Sequence, residues 1–552
     1  MKTLEEMAAR FADRLNRDIV CACGQTHRAD IDYVLIGEDA VKCVPRVMRR
    51  KGYKTALILA DENTWEVAGK TVRDVIRKSK FKSWNHVYQR DGETLCADER
   101  AMDEGAEAFL ACPQRPDVLI TVGTGTLNDL GKQIAAAMDV RCWNVATAAS
   151  MDGFASTVAA LTRGNLKVTE YYTPPEVIIG DTRILKTAPR EMTLAGIADM
   201  AAKYNARLDW RISRIINREH YCDLIADGML AVTDDIIDLA LEAPEEGEFS
   251  DALLERLMEG LVLSGVYMSY AGNSRAASGA EHHFSHFWEM WLQVNGKPPI
   301  YHGVKVGVGS MTMADLYPAY LGFRIDEAKA RERLEAFDEA AEIETLKQVY
   351  GDAAPMLLAD YAYGKADRLK RLLVEIEKQA EIEAEIRAMM PRLERMKQAL
   401  LHIGAKTRWE QLPNIGEVQA RQAMRYCKAM RPQFTLLQLI HDTYWPIDRY
   451  EEAWVKGLEY KEDTMEADEI KIEEQIEEVK PEAVPAETPA PKKRGRKPGS
   501  KNKPKTEKKA AEAPKRRGRP KKVVEEAPQT APAPAAPKVV RKKKEELPYW
   551  LL

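Results

Sequence analysis

No uninterrupted apolar run in this sequence reaches the roughly 18 to 20 residues that a helix needs to cross a bilayer. A membrane span is therefore not expected. The amino-terminal stretch MKTLEEMAARFADRLNRD alternates charged and apolar residues at helical spacing. It lacks the continuous apolar core of a secretory signal, so a cytoplasmic location is expected. Cysteine is sparse, with 8 in 552 residues, and scattered apart from Cys21 and Cys23. That usage suits reduced thiols better than a disulfide framework. Histidine is almost as rare, at 9 residues, yet His282, His283 and His286 crowd into ASGAEHHFSHFWEM and His302 follows in YHGVKVGVG.

Charge is scarce only in the sum. The formal net charge is −4, but Pro491–Leu552 holds 21 Lys and Arg against 6 Asp and Glu, a balance of +15 that leaves −19 on the preceding residues. An acidic body and a basic tail are separate physical objects. Within the body, short apolar runs alternate with helical patterns between about Ile31 and Thr182. TALILAD (Thr55–Asp61), PDVLITVG (Pro116–Gly123) and RCWNVATAAS predict buried strands. NTWEVAGKTVRDVIRKS and TGTLNDLGKQIAAAMD predict the helices that follow the first two. This order predicts an α/β fold with a Rossmann-like, doubly wound parallel sheet over residues 1–188. From about Pro189 to Trp445, long amphipathic patterns such as SDALLERLMEGLVLSGVYMSY predict an all-helical domain, extending to residue 460. Residues 461–552, acidic and then basic, carry too little apolar surface to offset ordering and are expected to be disordered.

VGTGTLNDLGK follows an apolar strand and opens a helix. Gly123 and Gly125 permit close backbone approach, and the helix amino terminus offers N–H groups to a pyrophosphate. A tight turn without a ligand is the competing assignment. Asp61 closes a strand, where a carboxylate can accept hydrogen bonds from a ribose or start the next helix. If residues 277–290 are helical, His282 and His286 share a face and His283 is turned away by about 100°. Three arrangements fit that spacing. His282 and His286 both bind a metal; or His282 and His302 do, with His286 facing substrate; or the cluster is packing without metal. Asp199, in LAGIADMAAKYNARLDW, is the candidate carboxylate, with helix capping as its alternative. Lys203, one turn later, suits neutralising that carboxylate or meeting an anionic substrate.

Together GTGTLND (Gly123–Asp129), TAASMDGFAS (Thr147–Ser156), GIADMAAKY (Gly196–Tyr204), SRAASGAEHHFSH (Ser274–His286) and HGVKVGVG (His302–Gly309) resemble the sn-glycerol-1-phosphate dehydrogenase family, bacterial branch. It belongs to the superfamily of iron-dependent alcohol dehydrogenases, glycerol dehydrogenase and dehydroquinate synthase. The resemblance spans roughly residues 30 to 450. It implies a metal held by Asp199, His282 and His302, with zinc or nickel as the ion. It implies catalytic and substrate roles for Asp199 and His286, a substrate contact at Asp152, and NAD(P)H held by Asp61, Gly123, Thr124, Gly125, Thr126, Leu127, Thr147, Ala148, Ala149, Ser150 and Ser156. It further implies a homodimer that reversibly reduces dihydroxyacetone phosphate to sn-glycerol 1-phosphate for phospholipid backbone synthesis. A glycerol or polyol dehydrogenase of the same superfamily is the alternative substrate assignment. Arg275 is a candidate grip for the substrate phosphate, with a structural ion pair as its alternative.

Two motifs stand apart. CACGQTH offers Cys21, Cys23 and His27, half of a zinc site, but no second Cys/His pair lies nearby in sequence. A turn with incidental thiols is the expectation. In the tail, KKRGRKPGSKNKPK and KRRGRPKK each carry an Arg-Gly-Arg core (Arg494–Arg496 and Arg517–Arg519). They resemble AT-hooks that lie in the minor groove of A·T-rich DNA, and nonspecific polyanion binding is the alternative. A DNA-associated protein with the body as scaffold predicts loss of the main activity when the chain is cut near Glu451. The enzyme assignment predicts near-normal kinetics.

Overall fold

The computed structural model describes residues 3–163, 166–359, 364–458 and 460. The acidic run after Tyr460 and both Arg-Gly-Arg segments lie outside the described residues. Strands β1 (Tyr33–Gly37), β2 (Thr55–Asp61), β3 (Lys82–Tyr88), β4 (Val118–Val122), β5 (Arg141–Val145), β6 (Val158–Arg163), β7 (Leu166–Tyr171) and β8 (Val177–Asp181) organise the first part of the chain. Six of them form one parallel sheet in the order β1-β8-β5-β4-β2-β3. β6 and β7 pair separately as an antiparallel hairpin.

Side chains along these strands alternate between two covered faces. On β2, Leu57 and Leu59 pack with Leu119, Leu127, Leu130 and Ile134, whereas Ala56, Ile58 and Ala60 pack with Ile120, Trp143 and Val145 on the opposite face. On β1 and β8, Val34, Ile36 and Ile178 join the core of the helical half. A sheet buried on both sides explains why TALILAD and VLITV read as continuous apolar runs.

After β8 no further strand occurs among the described residues. α1 (Gly125–Met138) lies between β4 and β5, and after β8 the chain continues through α-helices that include α2 (Arg190–Ala201), α3 (Lys203–Asn217), α4 (Asp223–Leu241), α5 (Asp251–Ala271), α6 (Ala280–Val294), α7 (His302–Tyr320) and α8 (Lys365–His402). The predicted combination of a Rossmann-like parallel sheet and an all-helical part is therefore the observed architecture. Among the described residues no helix is long and apolar enough to cross a membrane.

Candidate functional site

The strand order creates a crevice. From β2 the chain moves outward to β3, and from β4 it passes through α1 to β5 on the other side. Adjacent strands β2 and β4 thus send their connections in opposite directions, the topological switch at which open α/β sheets bind ligands beyond the strands' carboxyl ends. Asp61 closes β2 and also caps the helical turn beginning at Glu62, its Oδ1 accepting the Thr64 N–H at 2.8 Å. Gly123 follows β4 and donates its N–H to the Val145 carbonyl at 3.0 Å. α1 starts at Gly125, with Thr124 as N-cap, so its amino terminus opens at this edge. Thr124, Gly125 and Thr126 are partly exposed there, whereas the Leu127 side chain is core.

Thr147, Ala148, Ala149 and Ser150 follow β5 as a buried segment. The loop beyond it is tied down by α1. Asn128 Nδ2 donates to the Gly153 carbonyl at 3.0 Å, and Lys132 Nζ donates to the Gly153 and Val158 carbonyls at 3.0 and 2.7 Å. Asp129 Oδ2 accepts the Ala160 N–H at 3.1 Å. Ser156 Oγ donates to the Gly153 and Val158 carbonyls, so its hydroxyl fixes this same loop. The polar residues of TLNDLGK therefore hold the loop that carries Asp152.

That loop reaches the second half of the site. The Asp152 N–H donates to Asp199 Oδ2 at 3.0 Å. Asp199 lies within α2 and is fully buried, so it is not a cap. One oxygen of Asp199 and one ring nitrogen each of His282 and His302 all lie within 4.8 Å of one another. Close helix contact makes this possible. A Cβ on Gly303 of α7 would sit 1.9 Å from the Ala195 carbonyl oxygen on α2, and one on Gly196 of α2 would sit 2.0 Å from the Ala149 carbonyl oxygen. Glycine alone fits at either position, which brings α7 onto α2 and α2 onto the segment after β5.

The three imidazoles of His282, His286 and His302 form a triangle, with ring centroids 5.3 Å apart for His282–His302, 5.7 Å for His286–His302 and 6.0 Å for His282–His286. His283 is buried outside it. Of the three arrangements open on spacing, the structure groups Asp199 with His282 and His302 and sets His286 beside them. His286 Nε2 accepts a hydrogen bond from Arg431 Nη2 at 3.0 Å.

Burial alone would push the Asp199 carboxyl up, but the Lys203 ammonium and the hydrogen bond with His282 hold it well below the ordinary carboxylate range. Lys203 is likewise kept charged against burial by Asp152, at 2.7 Å, and Asp199, at 3.5 Å. Ser264 Oγ donates to Asp152 at 2.7 Å. Burial lowers the His302 imidazole to about 4 and, together with Arg431, pushes His286 well down, so both rings are neutral at pH 7. His282 differs. Burial opposes its charged form, yet hydrogen bonds with Asp199 and Glu281 raise its proton affinity above the ordinary value. Its Nδ1 lies 2.6 Å from Glu281 Oε1 and its Nε2 lies 3.6 Å from Asp199 Oδ1. The field that favours a proton on Nε2 equally favours a cation beside it, and the carboxylate on Nδ1 is the usual orienting partner of a metal-binding imidazole. One carboxylate oxygen and two imidazole nitrogens fit a divalent transition metal.

Sequence reasoning assigned no role to Glu281 or Arg431. Glu281 was legible as the acid preceding His282; Arg431 arrives from a distant segment and left no local signal. Arg275 does not face the site. It is 1% exposed, pairs with Glu219 at 3.1 Å and donates to the Asp209 and Phe434 carbonyls, so it is the structural ion pair of its two alternatives.

Residues 35–189 match the family model of iron-containing alcohol dehydrogenases. Glycerol-1-phosphate dehydrogenase (NAD(P)+) of Halalkalibacterium halodurans is 32% identical over 57% of this chain and 76% of the relative. The protein of that name from Geobacillus thermodenitrificans is 33% identical over 61% of this chain and 81% of the relative. Maleylacetate reductase from Agrobacterium tumefaciens, at 14% identity, shares the fold with a TM-score of 0.50 over 79% of this chain and 99% of that one. With 76% and 81% of these relatives' lengths matched at 32% and 33% identity, and with a switch-point crevice and a buried Asp/His/His cluster in its fold, the chain is an oxidoreductase that belongs to the glycerol-1-phosphate dehydrogenase family.

Proposed function

We propose that this protein interconverts dihydroxyacetone phosphate and sn-glycerol 1-phosphate with NAD(P)H as the reductant, in the cytoplasm and as a homodimer, to supply a phospholipid backbone. The observation that carries the reading is the convergence of Asp199, His282 and His302 within 4.8 Å, one loop away from the glycine turn at the switch point. Residues 1–188 would hold the nucleotide, with Asp61 toward the ribose, Gly123–Leu127 at the pyrophosphate, and Thr147–Ser150 and Ser156 lining the approach to nicotinamide. Residues 189–460 would hold metal and substrate.

When bound, zinc or nickel on Asp199, His282 and His302 supplies Lewis-acid polarisation of a ketone, and reduced nicotinamide supplies the hydride. The chain's own groups do the rest. Lys203 keeps Asp199 ionised and so maintains the negative ligand. Glu281 fixes the His282 ring, leaving Nε2 toward Asp199. Asp152, anchored by Lys203 and Ser264, accepts a substrate hydroxyl. His286, neutral and backed by Arg431, meets the substrate on the other side. Arg431 is the guanidinium nearest that ring and suits the substrate phosphate, the role that Arg275 cannot fill.

The test is turnover with NADH and NADPH on dihydroxyacetone phosphate and on dihydroxyacetone, with chiral analysis of the product and metal analysis of the protein. Preference for the phosphorylated ketone with the sn-1 product supports the proposal. Equal or faster turnover of dihydroxyacetone overturns it in favour of a polyol dehydrogenase.

A further inference from the structure

The segment CACGQTH does not stand alone in the folded chain. Ile19–Val20 pairs with Thr26–His27 as a short antiparallel ribbon. Within it, Gly24, at φ +87°, turns the backbone and donates its N–H to the Cys21 carbonyl at 3.0 Å. That turn sets Cys21 and Cys23 close together and opposite His27. The missing fourth donor comes from the helical half: Cys222, 1% exposed, is the N-cap residue of α4. Cys21 Sγ lies 3.6 Å from Cys222 Sγ, Cys23 Sγ lies 3.3 Å from His27 Nε2, and Cys222 Sγ lies 3.4 Å from His27 Nε2. All four donor atoms fall within 4.8 Å of one another.

We propose that Cys21, Cys23, His27 and Cys222 form a structural zinc site, separate from the Asp199 cluster, that fastens the amino-terminal ribbon to the helical half. A tetrahedral zinc with Zn–S bonds of about 2.3 Å has S···S edges of about 3.8 Å and S···N edges of about 3.6 Å. The three separations given above lie within about 0.3 Å of those edges. The tautomer of His27 agrees. Its Nδ1 lies 2.9 Å from the Tyr270 carbonyl oxygen, which only accepts, so Nδ1 carries the proton and Nε2 turns its lone pair to the sulfurs. The ring also stacks on Tyr270, with centroids 5.5 Å apart and planes 17° from parallel, which locks that orientation. Three soft thiolates with one imidazole select zinc over the hard divalent cations, and a site closed by four protein ligands leaves no position for substrate. The ion would cross-link segments far apart in the chain: the ribbon, the start of α4 and, through His27, the end of α5.

The test uses the full chain with His282→Ala, which disables the catalytic cluster and leaves the four candidate ligands in place. Metal analysis after purification without chelator is expected to find a single zinc per chain. A mercurial that blocks thiols should release it, read with a chromogenic zinc chelator. Cobalt substitution should give thiolate-to-metal charge-transfer absorption that Cys23→Ser and Cys222→Ser each weaken, and zinc removal should lower the melting temperature. Should either serine variant fail to fold, mercurial release and the cobalt spectrum of the unsubstituted chain still decide. Substoichiometric zinc, no charge-transfer band, or a Cys21–Cys222 disulfide in freshly purified protein overturns the proposal.

Discussion

At the scale of single residues, the site is organised by how a few buried charges are balanced. Asp152, Asp199 and Glu281 stand near Lys203 and His282, with the neutral His302 ring beside them, and removing one charged member leaves its partner without compensation. Glu281 hydrogen-bonds the His282 Nδ1 at 2.6 Å, on the far side of the ring from Asp199, so its effect runs through ring orientation. Glu281→Gln keeps the size and loses the charge; metal affinity should fall by about 10–100-fold, measured by competition against a chelator, with the fold retained by circular dichroism. Arg431 carries a different expectation. A hydrogen bond to a charged group contributes about 1.5–3 kcal/mol. Arg431→Ala should therefore raise KM for dihydroxyacetone phosphate by about tenfold or more, a clearly larger loss than on dihydroxyacetone, which feels Arg431 only through the His286 ring. Equal losses on both substrates would remove Arg431 from phosphate recognition.

Among elements, the packing of α7 on α2 sets the distance from His302 to Asp199. Gly303→Ala forces a Cβ onto the Ala195 carbonyl, and a backbone atom cannot turn away as a side chain can. Overpacking of this kind costs about 1–3 kcal/mol. A lower melting temperature together with weaker metal binding is expected; a variant that loses neither would show that the two helices have slack. The same scale shows how far local pattern reaches. Thr55–Asp61 forms a strand with the bounds that its apolar run predicts, because a central strand buried on both faces must be apolar throughout. Lys82–Tyr88 carries no such run, for it lies at the sheet edge and its outer side faces solvent. The predicted helix after β2 is interrupted in fact by a π-helical turn at Trp65–Gly69, a departure that periodicity does not register.

For the whole molecule, the question is where the catalytic body ends. Glu451 is fully buried and pairs with Arg421 and Arg425, and the Tyr460 ring lies tilted against Trp445 and Tyr450, with centroids 5.4 and 5.6 Å apart. A cut near Glu451 would therefore unpack the last helix and test folding instead of function. A chain ending after Tyr460 is the proper comparison. Its kcat/KM is expected to match that of the full chain, and any affinity for A·T-rich duplex should vanish with the tail. Loss of turnover in that truncation, with an intact melting transition, would favour the scaffold reading over the enzyme.

What the amino-acid sequence determined by itself is whatever repeats or clusters locally. It specified the apolar strands, the glycine turn at the end of one of them, the helical second half, the opposite charges of body and tail, and the Asp, His and Cys donors of the two proposed metal sites. Spacing left open which donors meet, and tertiary structure decided it. The geometry groups His302 with His282, buries Arg275 against Glu219, brings Arg431 to His286, and carries Cys222 across 201 positions to Cys21. Such partners are chosen by how helices pack, through contacts made by residues far apart in the chain, and neither spacing nor periodicity within one segment encodes them.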